Sequence, residues 1–285
     1  FLVTDRLPSK KVQATLRGHV VVDLDSENLL GVAEAAQRLC GRDVPDGVVA
    51  LTEKSVPAAA AVRHAFGLAG TDVETARALH DKVEMKRLIS GAGIACADWV
   101  VIDQKTSAEA VVRRLGLPVV IKPRSSSGGR GTLLAKDVAT VRQTMQPGWI
   151  AEQFIDGREM SIEAFTVRGR VLLRSPTEYF VPRWASIMPA PMSGEDWAEV
   201  SAFHDRVLRA LGVERSITHL EIFRTARGLV FVEIGGRPPG GYLMDLMQLV
   251  YGFDPWEAVL GLEMGEFPTL MTKAKTTAGG WVLHP

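Results

Sequence analysis

The stretch THLEIFRTARGLVFVEIGGR, residues 218–237, decides how this 285-residue chain is read. Two runs of alternating side chains flank Ala226-Arg227-Gly228, which fits a three-residue hairpin loop with glycine at the left-handed position. That turn sets Glu221 opposite Glu233 and His219 opposite Gly235. Because side chains alternate along an extended strand, His219, Glu221, Glu233 and Arg237 share one face, with Phe223 and Phe231 beside them. Two carboxylates opposed on a sheet repel each other and raise each other's pKa unless a cation lies between them. Oxygen ligands of this kind, completed by nucleotide phosphates, suit Mg2+ (or Mn2+). A solvated outer face is the other reading of the same pattern.

Working outward, VVIKPRSSSGGRGTLL (119–134) places Lys122 at a strand end before a loop that carries Ser126, Ser127, Gly128 and Gly129. Glycines let backbone N–H groups approach an anion, serines add donors, and the lysine neutralises charge, so the segment suits a polyphosphate. It is not a Walker loop, because no GK[ST] follows and no helix starts there. A flexible glycine hairpin with a surface lysine has the same composition. AEQFIDGREMSIE (151–163) offers Glu152, Gln153, Phe154 and Ile155 at a strand end as partners for an adenine edge, and Glu159 after the Asp156-Gly157 turn as an acceptor for ribose hydroxyls. A polar hairpin would read similarly.

The remainder alternates strands and helices. Residues 19–24 and 47–52 read as buried strands around a helix over 27–40, a parallel βαβ unit within a small α/β domain of about 75 residues. One helix is predicted over 74–90 and another over 242–261. Strands over 99–102, 118–124, 132–137 and 149–155, with helices over 107–115 and 138–146, mark a change to antiparallel pairing. Residues 175–194 carry four prolines and no sustained period and are predicted as a long loop, with Tyr179, Arg183 and Trp184 as candidate substrate contacts.

Lys+Arg and Asp+Glu both number 33, so no net field attracts nucleic acid or an anionic membrane. The two cysteines, Cys40 and Cys96, have neither metal-ligand nor redox spacing, which points to a reducing cytoplasm. No apolar run reaches the roughly 20 residues a bilayer span requires, so neither a membrane nor a nucleic-acid partner is expected. The chain opens on Phe1 rather than Met, which leaves the count of N-terminal strands open.

The motifs in order are a lysine opening a helix (HDKVEMKRLISGAGI), a lysine before a Ser/Gly loop, the AEQFIDGRE hinge, then paired acids in HLEIF and FVEIGGR. Together they resemble the ATP-grasp superfamily from about residue 19 onward. The resemblance implies an α/β (α+β) fold in which two antiparallel sheets sandwich ATP. A small parallel α/β domain (1–75) would precede a small subdomain (76–148) and a large subdomain (149–285). It implies that Lys82 and Lys122 contact ATP phosphates beneath the 125–131 loop, that Glu152, Gln153 and Ile155 hold adenine, and that Glu159 binds ribose. Glu221 and Glu233 would bind Mg2+, and Arg237 would sit near an acyl phosphate. Gly240 and Gly241 would join Arg183 and Trp184 at the substrate.

The implied activity is carboxylate–amine ligation with ATP converted to ADP and phosphate, acting on small-molecule carboxylate and amine substrates, with a homodimer left open. HLE and EIGGRPPGG look most like amino-acid or dipeptide ligases of specialised metabolism. Carboxylases, purine-pathway ligases and an inactive nucleotide-binding sensor are the competing readings. One departure stands out: Gly235 occupies the position where many members carry a metal-ligating Asn. His219, opposite it, is expected either to fill that space as a neutral ligand or base titrating near pH 6.5, or to be a packed strand histidine.

Overall fold

The structure, a computed structural model, describes residues 1–181 and 185–282. At the N-terminal end, β1 (Leu2–Thr4) pairs in parallel with β2 (His19–Val21). Helices Leu29–Cys40 and Ser55–Phe66 bury Val32, Ala36, Ala58 and Val62 as a small core of their own. The buried strand predicted over 47–52 is instead irregular chain, so the expected βαβ unit does not form around it. Its backbone has other partners: the Val48 carbonyl accepts from Arg63 Nη2 at 2.6 Å. Arg63 in turn pairs with Glu263 from the far end of the chain, and a side chain at Gly47 would collide with Glu263 and Met264.

A four-stranded antiparallel sheet follows, built from β3 (Trp99–Val101), β4 (Val119–Pro123), β5 (Leu133–Ala135) and β6 (Trp149–Gln153) in the order β3-β6-β4-β5. β6, expected to open the large subdomain, therefore belongs to the small sheet. Alternation along β4 sends Val119 and Ile121 into a core with Val111, Leu115 and Val141 from helices Ala108–Leu115 and Val138–Thr144. Ser107 and Asp137 cap those helices, each accepting from a backbone N–H three residues on.

The large sheet holds β7 (Arg158–Val167), β8 (Arg170–Val181), β9 (Ala185–Met188), β10 (Arg215–Thr225), β11 (Gly228–Gly235) and β12 (Ala278–Trp281) in the order β11-β10-β7-β8-β9-β12. Helix Gly194–Ala210 presses Val200, Val207 and Leu208 into the cluster of Ile162, Leu220 and Ile222, and helices Leu243–Tyr251 and Pro255–Glu263 cover Phe165 and Ile217. The loop predicted over 175–194 is largely strand. Ser175 and Thr177 are fully buried because their hydroxyls have partners: Tyr251 Oη donates to Ser175, and Thr177 donates to Glu163. Arg183 and Trp184 lie outside the described residues.

Two predicted helices are each broken by a cap. The first divides into Val73–His80 and Lys82–Gly91 at Asp81, whose extended backbone ends one helix while its carboxylate accepts from Val83 and Glu84 N–H to start the next. Arg124 Nε clamps that carboxylate at 2.6 Å. The second breaks at Gly252, with φ +72°, where Asp254 caps a new helix that has Pro255 in its first turn.

The opening hairpin has the predicted pairs, Glu221 with Glu233 and His219 with Gly235, by a different route. Thr225 pairs with Gly228, so the turn has two residues, and a bulge leaves Val232 as an extra residue. The shorter turn and the bulge offset each other at Glu221. They do not at Phe231, which pairs with Ile222 and is buried in the core, while one side of it still lines the same cleft as Glu221.

Candidate functional site

Residues from both antiparallel sheets line a cleft of about 600 Å³. Lys122 projects from β4, Glu152 and Gln153 from β6, and Phe154 and Ile155 continue the wall. Lys82 enters from the start of its own helix and donates to the Ser126 carbonyl at 2.7 Å, tying the Ser/Gly loop to the cleft. Ser126, Gly128 and Gly129 line it, and both glycines have φ near +60°, a conformation that favours glycine. Ser127 does not line it, because its hydroxyl accepts from Arg130 Nη2 within the loop. Glu159, Tyr179, His219, Glu221 and Glu233 form the opposite wall, and Arg237, Gly240 and Gly241 close one end.

The charges interlock. Glu233 Oε2 lies 3.5 Å from both Lys82 Nζ and Lys122 Nζ. Burial pushes the Glu233 carboxyl up, but the two ammonium groups prevail and hold it below the usual carboxylate range, where the opposed acids alone would have raised it. Glu152 Oε1 lies 3.1 Å from Lys122 Nζ and 3.3 Å from Lys86 Nζ. Burial opposes charge on Lys122, yet Glu152 and Glu233 raise its pKa above the ordinary lysine value.

His219 departs most from expectation. Burial opposes its charge, but Nδ1 donates to Glu163 at 2.8 Å and Nε2 to Glu221 at 3.2 Å, and the pKa is pushed up to about 10. Both ring nitrogens face carboxylates rather than a backbone carbonyl, and this pairing favours the charged form of the ring. Glu163 also accepts from the Ser161 and Thr177 hydroxyls, both at 2.7 Å, which satisfies a carboxylate with no exposed surface. His219 does not fill the space at Gly235 either. The side chain beside that glycine is Glu53, whose Oε2 would lie 3.2 Å from a Cβ placed there.

Residues 87–241 match the ATP-grasp domain, more than half of the chain. The chain belongs to the ATP-grasp family. Its sequence is 27% identical over 244 residues to an L-arginine-specific L-amino acid ligase of Bacillus subtilis, covering 79% of this chain and 59% of that protein. It is 28% identical over 257 residues to a formate-dependent phosphoribosylglycinamide formyltransferase of Solidesulfovibrio magneticus, covering 83% and 63%. The chain thus spans about 60% of the length of these curated relatives. In fold it is similar to an L-amino acid ligase from Bacillus licheniformis, with TM-score 0.74 and 22% identity over 93% of this chain and 68% of that one. A carboxyaminoimidazole ribonucleotide synthase from Aspergillus clavatus, solved with ATP, gives TM-score 0.76 at 15% identity, covering 98% and 73%.

ATP and Mg2+ are the cofactors of the ATP-grasp family, and the residues present fit both. Lys82, Lys122, Ser126, Gly128 and Gly129 line the cleft together, the cations and backbone donors that a polyphosphate takes. Glu221 and Glu233 present hard oxygen donors on one wall, the sparse protein contribution that Mg2+ takes when phosphates complete its shell.

Four residues at or beside the cleft are not singled out by the sequence reading. Glu163 and Ser161 continue the period-two series from Glu159 on β7, and Lys86 lies one helical turn beyond Lys82, so both signals were local. Glu53 carried none, because it is 184 positions from Arg237, whose Nε donates to it at 2.9 Å.

Proposed function

We propose that this chain is an ATP-dependent carboxylate–amine ligase acting on amino acids. The observation that carries the reading is the cleft itself: two lysines, a Ser/Gly loop and paired acids at one stretch, with Arg237 at the end. Lys82 and Lys122 bind and orient the phosphates, and the loop and the two walls restrict water. Mg2+, held by Glu221 and Glu233 when bound, supplies further charge neutralisation. His219, fixed as a cation, holds the Glu221 carboxylate in place. Arg237 presents a guanidinium to the carboxylate being activated, and its fork suits an acyl phosphate. The amine then displaces phosphate.

Among the described residues that line the cleft, the cations are Lys82, Lys122, Arg237 and His219, the last already paired with Glu163 and Glu221. The nucleotide engages the first two, so a phosphate-bearing acceptor of the purine-pathway kind would compete for Arg237 alone. This favours amino-acid substrates. ADP release measured over pooled amino acids tests the reading. Acid- and amine-dependent ADP, lost in Glu233→Gln, is the expected result, and ATP binding with no such turnover would assign the chain to a nucleotide sensor instead.

A further inference from the structure

Beside Arg237 the cleft opens into a side cavity of about 10 Å³, the size of one water molecule or one ammonium group. Its polar lining includes Glu53, His80, Lys82, His219, Glu233 and Arg237, with Leu79, Met85 and Ile234 as apolar neighbours. Glu53 comes from the N-terminal part of the chain, immediately before helix Ser55–Phe66, and its side chain is only 12% exposed. One carboxylate oxygen accepts from Arg237 Nε at 2.9 Å, and the other faces His80 Nδ1 at 3.3 Å. A Cβ at position 235 would lie 3.2 Å from Glu53 Oε2, tighter than ordinary van der Waals contact. A side chain at this position would press on the carboxylate, which would have to give by a few tenths of an ångström.

We propose that Glu53 receives the attacking amine of the acceptor and takes its first proton. The assignment rests on the ligase reading, in which Arg237 holds the acyl phosphate. A carboxylate bonded to that same guanidinium stands next to the carbon under attack. A protonated primary amine is a ligand that the Glu53 and Glu233 carboxylates can take there beside the cations, and it must lose a proton before its nitrogen can attack. That proton passes to Glu53. The nitrogen lone pair forms the C–N bond, the bond from the acyl carbon to the phosphate oxygen breaks with its electrons on phosphate, and the second nitrogen proton leaves with phosphate.

Hydroxylamine separates this role from a structural one, since it is largely unprotonated at neutral pH and attacks acyl phosphates without help. With ATP and the best carboxylate from the amino-acid panel, Glu53→Gln should lower amide formation at least about 30-fold while hydroxamate formation stays within about threefold of wild type, the split expected for loss of one proton-transfer group. Glu53→Asp should regain part of the amide rate. Equal loss of both products would make Glu53 a prop for Arg237 and overturn the proposal, as would an unchanged amide rate. If wild type forms neither hydroxamate nor acid-dependent ADP, the ligase reading itself fails and takes this assignment with it.

Discussion

The front and back of the large sheet each hold a buried histidine, and the two have opposite charge states. On the cleft side, His219 lies between Glu163 and Glu221 and is pushed up to about 10. On the helix side, His204 from Gly194–Ala210 has no exposed surface; burial, with the nearby Arg174 guanidinium adding to it, pushes it down to about 3. Its Nδ1 accepts from Arg174 Nε at 3.0 Å, and Nε2 is buried without a partner. Desolvation acts in the same direction on both rings, so the sign of the outcome comes from the neighbours: two carboxylates on one side, a guanidinium on the other. A fixed positive charge belongs where acids and phosphates meet, and a neutral ring belongs where packing dominates.

The largest effect that can break this contrast is Glu163→Gln. It leaves an imidazolium facing a neutral amide in a buried site, and the loss should be about 3–5 kcal/mol, the range for removing one partner of a buried pair. Urea unfolding at neutral pH measures it; a loss under about 1 kcal/mol would mean that the pair contributes no more than an exposed one.

Next in size is acid sensitivity. His204 has its folded pKa depressed from 6.5, so the unfolded chain binds its proton first, and the stability present above pH 6.5 is lost as pH falls toward about 3. His204→Phe should flatten the fall in stability across that window by up to about 1.4 kcal/mol per pH unit. An unchanged slope would show that His204 titrates normally in the folded protein.

A counterpart lies on the alkaline side. His219 has its folded pKa raised, so its stabilisation is complete below pH 6.5 and is lost as pH rises through about 10. NMR of the imidazole rings should find His219 protonated at pH 8 and His204 neutral at pH 5. Activity should show no break near pH 6.5 arising from His219, and a ring that titrates there would collapse the distinction between the two faces.

Much of this was written locally. The alternation of Glu159, Ser161 and Glu163 on β7, and of His219 and Glu221 on β10, is legible because a strand sends every second side chain to one face. The helix breaks at Asp81 and Gly252 also had local signals, an acid that caps and a Gly-Phe-Asp-Pro run, which a continuous apolar period obscured. The strands within 175–194 had none, since Ser175 and Thr177 look like loop residues until Tyr251 and Glu163 meet their hydroxyls.

The order of the elements, the facing acids, the glycine loop and the two lysines follow from residues close together in the chain, where alternation, caps and turns act over a few positions. The charge on His219, the neutrality of His204 and the carboxylate of Glu53 against Arg237 come from partners 56, 30 and 184 positions away, brought together only when the sheets and helices pack. Hydrogen bonds and Coulomb interactions in a buried site depend on distance in space, which the packed fold sets and the linear order of residues does not.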